Sequence, residues 1–456
     1  MKNFTKEERS WIMYDWANSA FATIMLAAIF PVFFVGIAGG EGSPGSVWWA
    51  RGVATARLIL GVAAPIIGAI IAYKGYKMRL FITFISLGIL FHFFVAVQAS
   101  WQMLLLGYIL ANIFWSASNI IYDSYLPDVT TKDRMDKVSA WGFGMGYIGG
   151  STIPFLISIL LIMFGQHFPT PIDEPTAVRI SIVMTAVWWG VFSIPMIRNV
   201  SHKYGVDVPQ KGMITETLKK TLATAKKIVK NKSLFIFIIA FFFYIDGVGT
   251  VIAMATAYGT ELGLGATGMI VALFVMQLVA MPLTILFGKL ADSFNSINII
   301  IGAICIYLVI CLTGFVMGFG LEGYVPAIIE NGVIISEGSA GRWFGANVAI
   351  AIFWALAVMV GTVQGGIQAT SRAVYARLIP PEHSGEYFGF FEIFGRFAAI
   401  LGPFLYATIL TITGRPPFAI LSIMFVFLVG LTILLIGKKH LQLRPAKEIR
   451  NETYGK

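Results

Sequence analysis

A carboxylate and a carboxamide stand three residues apart at the start of the first long apolar run of this 456-residue chain. At that spacing Asp15 and Asn18 share one face of a helix, with Tyr14 next to them. A charge at the edge of a membrane-length segment is costly unless it faces protein or water. Asp15 could therefore take up a proton or pair with the amine of a solute that Tyr14 and Asn18 also contact. Alternatively, it could lie at the membrane interface and hold helices together.

A second pair of ionisable residues lies deep inside another apolar run. Glu392 and Arg396 are four residues apart, so on a helix they can form an i,i+4 ion pair. A carboxylate with a movable arginine partner can exchange between its ionised and protonated forms, which proton coupling requires. Arg396 could instead bind a solute carboxylate through a bidentate contact, or the pair could be a permanent link between helices.

Two further charges are isolated in apolar sequence. Asp246 follows three phenylalanines at 241–243 and is a candidate proton site, although it could also be hydrogen-bonded to nearby hydroxyl groups or to Gln277. Arg57 has no acid within helical reach. It could bind a solute anion, pair with an acid of another helix, or extend to the membrane surface.

Polar side chains also recur at helical spacing in two apolar runs. One run holds Asn119, Tyr122 and Asp123, and the other holds Gln364 and Gln368. These groups could hydrogen-bond a polar solute. Hydrogen bonds between neighbouring helices are the commoner use of such residues, so both interpretations stay open.

The chain that positions these residues is very apolar. Hydrophobic residues make up 57% of it and charged residues 12%, with a mean hydropathy of +0.79. A soluble domain of this size could not bury so much apolar surface. Runs of about 20 apolar residues, the length of a transmembrane helix, recur throughout, whereas the alternating ten-residue segments of a membrane barrel are not seen in the sequence. We predict an all-α polytopic membrane protein.

About twelve transmembrane helices are predicted, in two halves of six. Their expected ranges are 11–38, 51–73, 80–99, 102–124, 138–165, 177–197, 233–259, 266–288, 297–319, 344–370, 385–413 and 417–437. The predicted division of the chain is a first bundle at 1–197, a basic linker at 198–232, a second bundle at 233–440 and a tail at 441–456.

The distribution of basic residues predicts the orientation. Most of the 33 Lys and Arg residues fall in alternate connections, including 198–232, so both termini are expected in the cytoplasm and the chain in the inner membrane. This bias also explains the net charge of +10 without nucleic-acid binding. In 198–232 apolar residues recur at helical spacing and lysines cluster on the other side. That pattern is typical of a helix lying on the anionic inner leaflet, or of a solvated linker helix.

The two halves repeat one another. Residues 125–128 (Tyr-Leu-Pro-Asp) precede a glycine-rich stretch and Pro154, as 378–381 (Leu-Ile-Pro-Pro) precede another glycine-rich stretch and Pro403. Two six-helix repeats imply a binding site near the membrane midplane between them, exposed alternately to each side.

These features resemble the major facilitator superfamily over essentially the whole chain. Within it, the chain resembles the family of the fungal autophagy-linked vacuolar effluxer and its bacterial "unknown major facilitator" relatives. The resemblance implies a twelve-helix transporter, and the fungal members are credited with releasing amino acids from the vacuole. It is carried by residues 14–21, 125–128, 139–142, 371–372, 378–381, 386–389 and 395–396.

The chain departs from the superfamily at one cytoplasmic loop. The Asp that usually follows the second span is replaced by Ala72, whereas the second-half copy keeps Asp292. Basic residues at 74, 77 and 79 could still pair with acids at 128, 133 or 136. The candidate residues for a cytoplasmic gate are Asp128, Arg134, Asp292 and Arg372.

We interpret the chain as a monomeric secondary transporter that moves a small polar organic solute, such as an amino acid, with export favoured over uptake. Protons, through Glu392, Asp246 or Asp15, are the expected energy source, and membrane lipids the expected surroundings. An exporter of lipophilic molecules is an alternative that an apolar cavity open to the bilayer would favour; a non-transporting sensor or scaffold is another. The sequence has no phosphate-binding loop and no His/Cys cluster, so no enzyme activity, ATP, metal or other cofactor is expected.

Overall fold

The computed structural model describes residues 3–40, 43–207, 213–262, 266–323, 328–330, 333–336, 339, 341–441 and 443–454. In this part of the chain, twelve helical segments are long and apolar enough to cross a membrane. The predicted all-α fold with twelve spans is therefore confirmed. Because the number of spans is even, both chain ends lie on one side, which we call the termini side.

The spans are numbered in chain order. Spans 1 and 5 each consist of two helices joined by a π-helical turn, and the other ten are continuous. The ranges are Lys6–Phe21, Ala22–Ala27 and Ile29–Ile37 for span 1; Gly45–Ile71, Tyr76–Val97 and Trp101–Ser124 for spans 2 to 4; Met135–Gly146, Tyr147–Thr152 and Ile153–Phe164 for span 5; and Glu174–Asn199, Lys232–Glu261, Ala266–Ser293, Ser296–Gly320, Ala346–Leu378, Ser384–Thr413 and Pro416–Gly437 for spans 6 to 12.

Shorter elements connect the spans. A linker helix lies between spans 6 and 7, and a C-terminal helix follows span 12. Two small antiparallel ribbons lie on the side opposite the termini. These elements are the linker helix Met213–Lys230, the C-terminal helix Ala446–Tyr454, the helix Leu126–Val129, the 3-10 turns Gly165–His167, Pro381–His383 and Lys438–His440, and the strands Gly39–Gly40, Ser43–Pro44, Ile328–Glu330 and Val333–Ser336.

The main difference from the predicted ranges is at the end of span 10. The helix was expected to end at 370 but continues to Leu378. Arg372 and Arg377 are therefore helical and buried rather than loop residues. Their guanidinium groups pair with acids of the first bundle, so the helix can extend beyond its apolar stretch without leaving charges unpaired.

The irregular turns of spans 1 and 5 lie side by side. Span 1 begins with a capping box between Thr5 and Glu8, and its helix changes to π geometry at Ala22–Ala27. Span 5 contacts it through glycines: a Cβ atom on Gly150 would lie 2.2 Å from the Cβ of Ser19. This close packing fixes the polar residues of span 1 against span 5.

The two six-helix bundles meet mainly along two helix pairs, span 2 with span 11 and span 5 with span 8, and span 10 also packs against span 5. Both pairs come closest near the termini side. A Cβ atom on Gly68 would lie only 2.5 Å from the carbonyl oxygen of Gly385, and one on Gly288 would lie 2.6 Å from the Cβ of Ala140. Backbone contact at these glycines closes the termini side of the interface between the bundles.

Candidate functional site

Arg372 of span 10 connects the two bundles near the termini side of their interface. Its Nη1 lies 2.9 Å from Oδ1 of Asp123, its Nη2 3.2 Å from Oδ2 of Asp15, and its Nε 2.9 Å from Oγ of Ser139. All three partners belong to the first bundle. Since Arg372 is only 4% exposed, these charge-assisted hydrogen bonds form away from water, where they are strong.

Aromatic rings of the first bundle complete the surroundings of this guanidinium. The Cζ atom of Arg372 lies 4.6 Å from the ring centre of Trp11, 5.3 Å from that of Tyr122 and 4.3 Å from that of Phe143. Tyr122 also donates its hydroxyl to Asp15 over 2.7 Å. The structure thus brings together three predicted site residues, Asp15, Tyr122 and Arg372. We call Arg372, Asp15 and Asp123 the bridge cluster.

The other predicted residues of span 1 lie beside the bridge cluster without joining it. The Tyr14 hydroxyl hydrogen-bonds Ser118 over 2.8 Å and accepts the indole N–H of Trp189, so it links helices within the first bundle. Asn18 is buried, and its backbone carbonyl accepts the indole N–H of Trp115. These hydrogen bonds join neighbouring helices of the first bundle.

Span 4 carries a row of polar groups that leads away from the bridge cluster. The amide of Asn112 donates to the Tyr108 hydroxyl and accepts the Ser116 hydroxyl, each over 3.2 Å. Asn119 lies one turn from Asp123, and its Oδ1 is buried without a hydrogen-bond partner in the described part of the chain. Such a row offers successive hydrogen-bonding sites toward the side opposite the termini.

A second charged group faces this row from span 11. Glu392 and Arg396 form the predicted i,i+4 ion pair, with Nη2 of Arg396 2.6 Å from Oε1 of Glu392. Arg57 and Tyr108 are close enough to Arg396 to interact with it electrostatically, and Glu392 acts in the same way on Asp123. We call Arg57, Arg396 and Glu392 the arginine cluster. The predicted pair therefore lies near the bridge cluster, and both of its side chains are largely buried.

A cleft of about 910 Å³ adjoins the arginine cluster between spans 2, 4 and 11. Arg57 and Arg396 both contribute to its wall. Most of the lining is apolar and includes two tryptophans. The lining residues are Trp48, Trp49, Ala50, Arg51, Gly52, Val53, Ala54, Thr55, Arg57, Leu58, Leu105, Ile109, Arg396, Phe397 and Ile400.

Asp246 lies inside the second bundle, apart from both clusters. It is fully buried, and neither carboxylate oxygen has a hydrogen-bond partner among the residues that the structure describes. The alternative in which Asp246 bonds a hydroxyl or Gln277 is therefore wrong for this structure: the Thr250 hydroxyl donates to the backbone carbonyl of Asp246 instead. Span 11 packs closely here, because a Cβ atom on Gly402 would lie 3.1 Å from Oδ2 of Asp246.

The candidate glutamines Gln277, Gln364 and Gln368 do not form one site among the described residues. Gln277 has a buried Oε1 with no hydrogen-bond partner in the described ranges. Gln368 donates to the backbone carbonyl of Gln364 on its own helix over 3.1 Å, and Gln364 is buried. These bonds do not connect the glutamines to either charged cluster.

A family model described as "Vacuole effluxer Atg22 like" matches residues 46–441 of the chain. The chain belongs to this Atg22-like family. A second comparison agrees: the chain is 39% identical over 439 residues to the uncharacterised transporter YxiO of Bacillus subtilis, of the major facilitator type, with 95% of each protein covered.

Fungal relatives are more distant and longer. Autophagy-related protein 22-2 of Aspergillus clavatus is 26% identical over 302 residues, which cover 63% of this chain and 46% of the fungal protein. The chain thus spans about half the length of the fungal relatives that it matches.

Solved structures agree on the fold. A bacterial homologue of the iron transporter ferroportin, in an outward-facing state, matches with a TM-score of 0.64 and 13% identity over 95% of this chain and 99% of that one. The proton:xylose symporter XylE matches with a TM-score of 0.65 and 10% identity over 94% of this chain and 95% of that one. The family match and the similarity to YxiO, together with the twelve spans, show that the Atg22-like chain is a multi-pass transporter of the major facilitator type and not an enzyme.

The Atg22-like chain carries further ion pairs on the termini side. Asp128 accepts Lys77 Nζ over 2.6 Å, and both side chains are fully buried. This confirms a pairing predicted for the basic residues after span 2. Lys77 Nζ also lies 3.3 Å from the Ser384 hydroxyl of span 11. Asp128, the predicted gate residue, is therefore linked to the second bundle through Lys77, its partner in this ion pair.

The remaining gate candidates differ in what they join. Arg134 pairs with Glu8 over 2.7 Å, and both belong to the first bundle, so this ion pair does not cross the interface. Asp292 lies 3.2 Å from Arg450 of the C-terminal helix, which also approaches Asp133 of the first bundle at 3.5 Å. Here the contact between bundles is made through the chain's tail.

Sequence reasoning did not single out Arg377, which forms an ion pair across the interface. Arg377 of span 10 pairs with Asp136 of span 5 over 3.0 Å and hydrogen-bonds Ser296 over 2.6 Å. Its position five residues after Arg372 was the available signal, because two arginines so close to an apolar run suggest a shared role. The predicted end of span 10 at 370 concealed that signal.

Proposed function

We propose that this chain is a proton-coupled secondary transporter that moves a small zwitterionic solute, an amino acid or a related compound, across the cytoplasmic membrane by alternating access. The observation that carries the proposal is the Arg372 bridge: one buried guanidinium of the second bundle held by two carboxylates of the first. Both termini lie in the cytoplasm, the chain acts as a monomer, and export is the favoured direction. Residues 74–79 and the linker, rich in Lys and Arg on the termini side, support this orientation.

The charges of the two clusters match a zwitterion. The bridge cluster has two acids and one arginine, whereas the arginine cluster has two arginines and one acid. A solute carboxylate would bind Arg396 and Arg57, since guanidinium groups bind carboxylates in a bidentate way. Its ammonium group would lie toward Asp123. The row of polar groups on span 4 lies between the two positions and would bind polar groups of the solute.

Binding of the ammonium group supplies a way to open the closed side. A cation at Asp123 competes with Arg372 for the same carboxylate and weakens the bridge between the bundles. A ligand shifts a conformational equilibrium by its difference in affinity for the two states. The bridge cluster makes such a difference because its acids pair with Arg372 only when the bundles are closed on the termini side.

Asp246 is the proposed proton site. An ionised carboxylate that is fully buried without a partner costs several kcal/mol, whereas the neutral acid costs much less. We therefore assign a bound proton to Asp246 in this closed state. Release of the proton requires water to reach the site, and movement of span 11 at Gly402 and Pro403, beside the carboxylate, would admit it. Glu392 and Asp15 are already paired with arginines, so they suit this role less well.

The test is transport by the purified protein in proteoliposomes with an imposed pH gradient. Solutes are first screened for thermal stabilisation, and the stabilising amino acids are then assayed as radiolabelled substrates. We expect gradient-driven transport that Arg372→Gln abolishes and that the matched variant Arg342→Gln, in an exposed ion pair with Glu322, retains. No stabilising or transported zwitterion, or full activity of Arg372→Gln, would overturn the proposal.

One observation favours a second candidate, export of amphipathic or lipophilic molecules. The cleft beside the arginine cluster is lined mainly by apolar side chains, including Trp48, Trp49 and Phe397. An organic anion with a large apolar part would fit such a wall. Efflux of a fluorescent lipophilic anion, competed by no amino acid, would support this candidate. A non-transporting sensor needs neither the cleft nor the two charged clusters.

A further inference from the structure

The linker helix Met213–Lys230 contacts both bundles on the termini side. Its Lys220 ammonium lies 4.2 Å from the ring centre of Tyr73, which directly follows span 2. Its Thr224 hydroxyl donates to the carboxylate of Glu386 in span 11, and that carboxylate also lies 2.9 Å from Nδ1 of His383. The helix therefore joins the ends of spans 2 and 11, the pair that closes at Gly68 and Gly385.

The face that the linker helix buries is not the whole apolar stripe expected from the sequence. Thr217, Thr224 and Ile228 are buried, whereas Leu222 and Val229 are 67% and 62% exposed. The side chains at 214 and 218, which belong to the same expected stripe, lie outside the described part. Thr224 is buried because Glu386 supplies its hydrogen-bond partner. As a result, an apolar edge of the helix points away from the protein.

Of the exposed lysines, Lys226 lies directly beside this apolar edge and Lys230 about 80–100° from it, whereas Lys227 lies about 140–160° away. At 100° per residue, Leu222 and Val229 are about 20° apart around the helix axis, and Lys226 follows within about 60° of both. Lys226, Lys227 and Lys230 are exposed. An apolar edge next to ammonium groups, on a helix that lies beside the ends of membrane spans, is the arrangement of an interfacial helix. The apolar edge enters the acyl boundary while the lysines reach the phosphate groups.

We propose that the linker helix binds anionic phospholipid headgroups of the termini-side leaflet and that this binding stabilises the closed contact between spans 2 and 11. The charge of the lysines and the exposed Leu222 and Val229 together select a lipid surface, because a soluble anion would satisfy only the lysines. Through Tyr73 and Glu386 the anchored helix holds one helix of each bundle. Anionic lipid would thus shift the transporter toward the state closed on the termini side.

The proposal is tested in lipid nanodiscs with spin labels at the exposed positions Arg79 and Glu382 on the termini side, after alanine replacement of Cys305 and Cys311. In discs that contain phosphatidylglycerol we expect a larger share of the short distance between labels, and a higher unfolding temperature, than in phosphatidylcholine discs. The triple variant Lys226→Gln, Lys227→Gln, Lys230→Gln should lose both effects. These readouts use no transported solute, so they are independent of the proposed substrate.

The control variant removes the same charge elsewhere on the termini side, through Lys6→Gln, Lys132→Gln and Lys289→Gln, all at exposed positions. It should keep both effects of phosphatidylglycerol. Equal loss in the two triple variants would show a general charge effect and overturn the proposal. So would inorganic phosphate that reproduces the effects in phosphatidylcholine discs, or stabilisation by phosphatidylglycerol without any change in the distance between labels.

Discussion

Nη1 of Arg372 lies 2.9 Å from Oδ1 of Asp123, and this contact joins the tenth span to the fourth across the boundary between the bundles. Truncating one member of a buried ion pair is costly, by about 3–5 kcal/mol, because the other charge is left without its partner. The contact is therefore stable while the bundles are closed and has to be replaced when they separate. A proton or a solute ammonium group at Asp123 would serve as the replacement.

The glycine contact between spans 2 and 11 should be sensitive to a single methyl group. Gly68→Ala places a Cβ atom 2.5 Å from the carbonyl oxygen of Gly385, so the helices must move apart. Overpacking of this kind costs about 1–3 kcal/mol, and we expect thermal unfolding at lower temperature with a shift away from the closed state. The control Gly302→Ala, where no atom lies within 4 Å of the new Cβ, should change stability by less than about 1 kcal/mol. Equal effects of the two variants would contradict the closed contact.

Replacing Asp246 by Asn should separate transport from the proton gradient. The amide resembles the neutral acid that we assign to this buried position, so the variant should fold with nearly unchanged thermal stability. Solute exchange between equal concentrations should continue in proteoliposomes, while accumulation driven by a pH gradient should be lost. The exposed Asp173→Asn serves as the control and should accumulate solute normally. Gradient-driven accumulation by Asp246→Asn would exclude Asp246 as the proton site.

The arginine cluster should determine the preference for a carboxylate. Hydrogen bonds to charged groups contribute about 1.5–3 kcal/mol, so Arg396→Gln should weaken solute binding by about one to two orders of magnitude. The loss should be much smaller for the solute's amide derivative, which has no carboxylate to bind. Isothermal titration with both ligands measures the difference, and Arg51→Gln in the same cleft is the control. Equal losses for acid and amide would show that Arg396 does not bind the carboxylate.

His202 should make the stability of the termini side depend on pH. Burial, together with the nearby Lys77 ammonium, lowers the pKa of His202 to about 4, from an ordinary value of 6.5. The unfolded chain therefore binds a proton at this residue between about pH 6.5 and pH 4, where the folded chain does not, so stability falls as the pH drops through that window. His202→Gln should reduce this slope in thermal unfolding curves recorded across the window. An unchanged slope would assign the pH dependence to other groups.

The parts of the structure that follow from local sequence could be predicted. The twelve spans follow from apolar length, and the Glu392–Arg396 ion pair follows from helical spacing, because both depend only on residues close together in the chain. The Arg372 bridge could not be derived in this way. Its partners are 249 and 357 residues away, and their contact depends on how the two bundles pack.

The linker helix shows a different limit. The apolar periodicity of the linker predicts that Leu222 and Val229 belong to the packed face, yet both are exposed, and the residues that pack, Thr217, Thr224 and Ile228, lie on the opposite side of the helix. The buried face includes Thr224 because Glu386 of span 11 provides a hydrogen-bond partner, which no pattern within the linker reveals. Apolar spacing identified the helix, and the tertiary contact decided which edge faces the protein.

The most direct test of the account is the distance between spin labels at Arg79 and Glu382 in the wild-type chain and in Arg372→Gln, in nanodiscs of the same lipid. If the Arg372 bridge holds the bundles together on the termini side, the variant should shift the distribution from the short to the long distance, and Arg342→Gln should leave it unchanged. An unaltered short distance in Arg372→Gln would contradict the account.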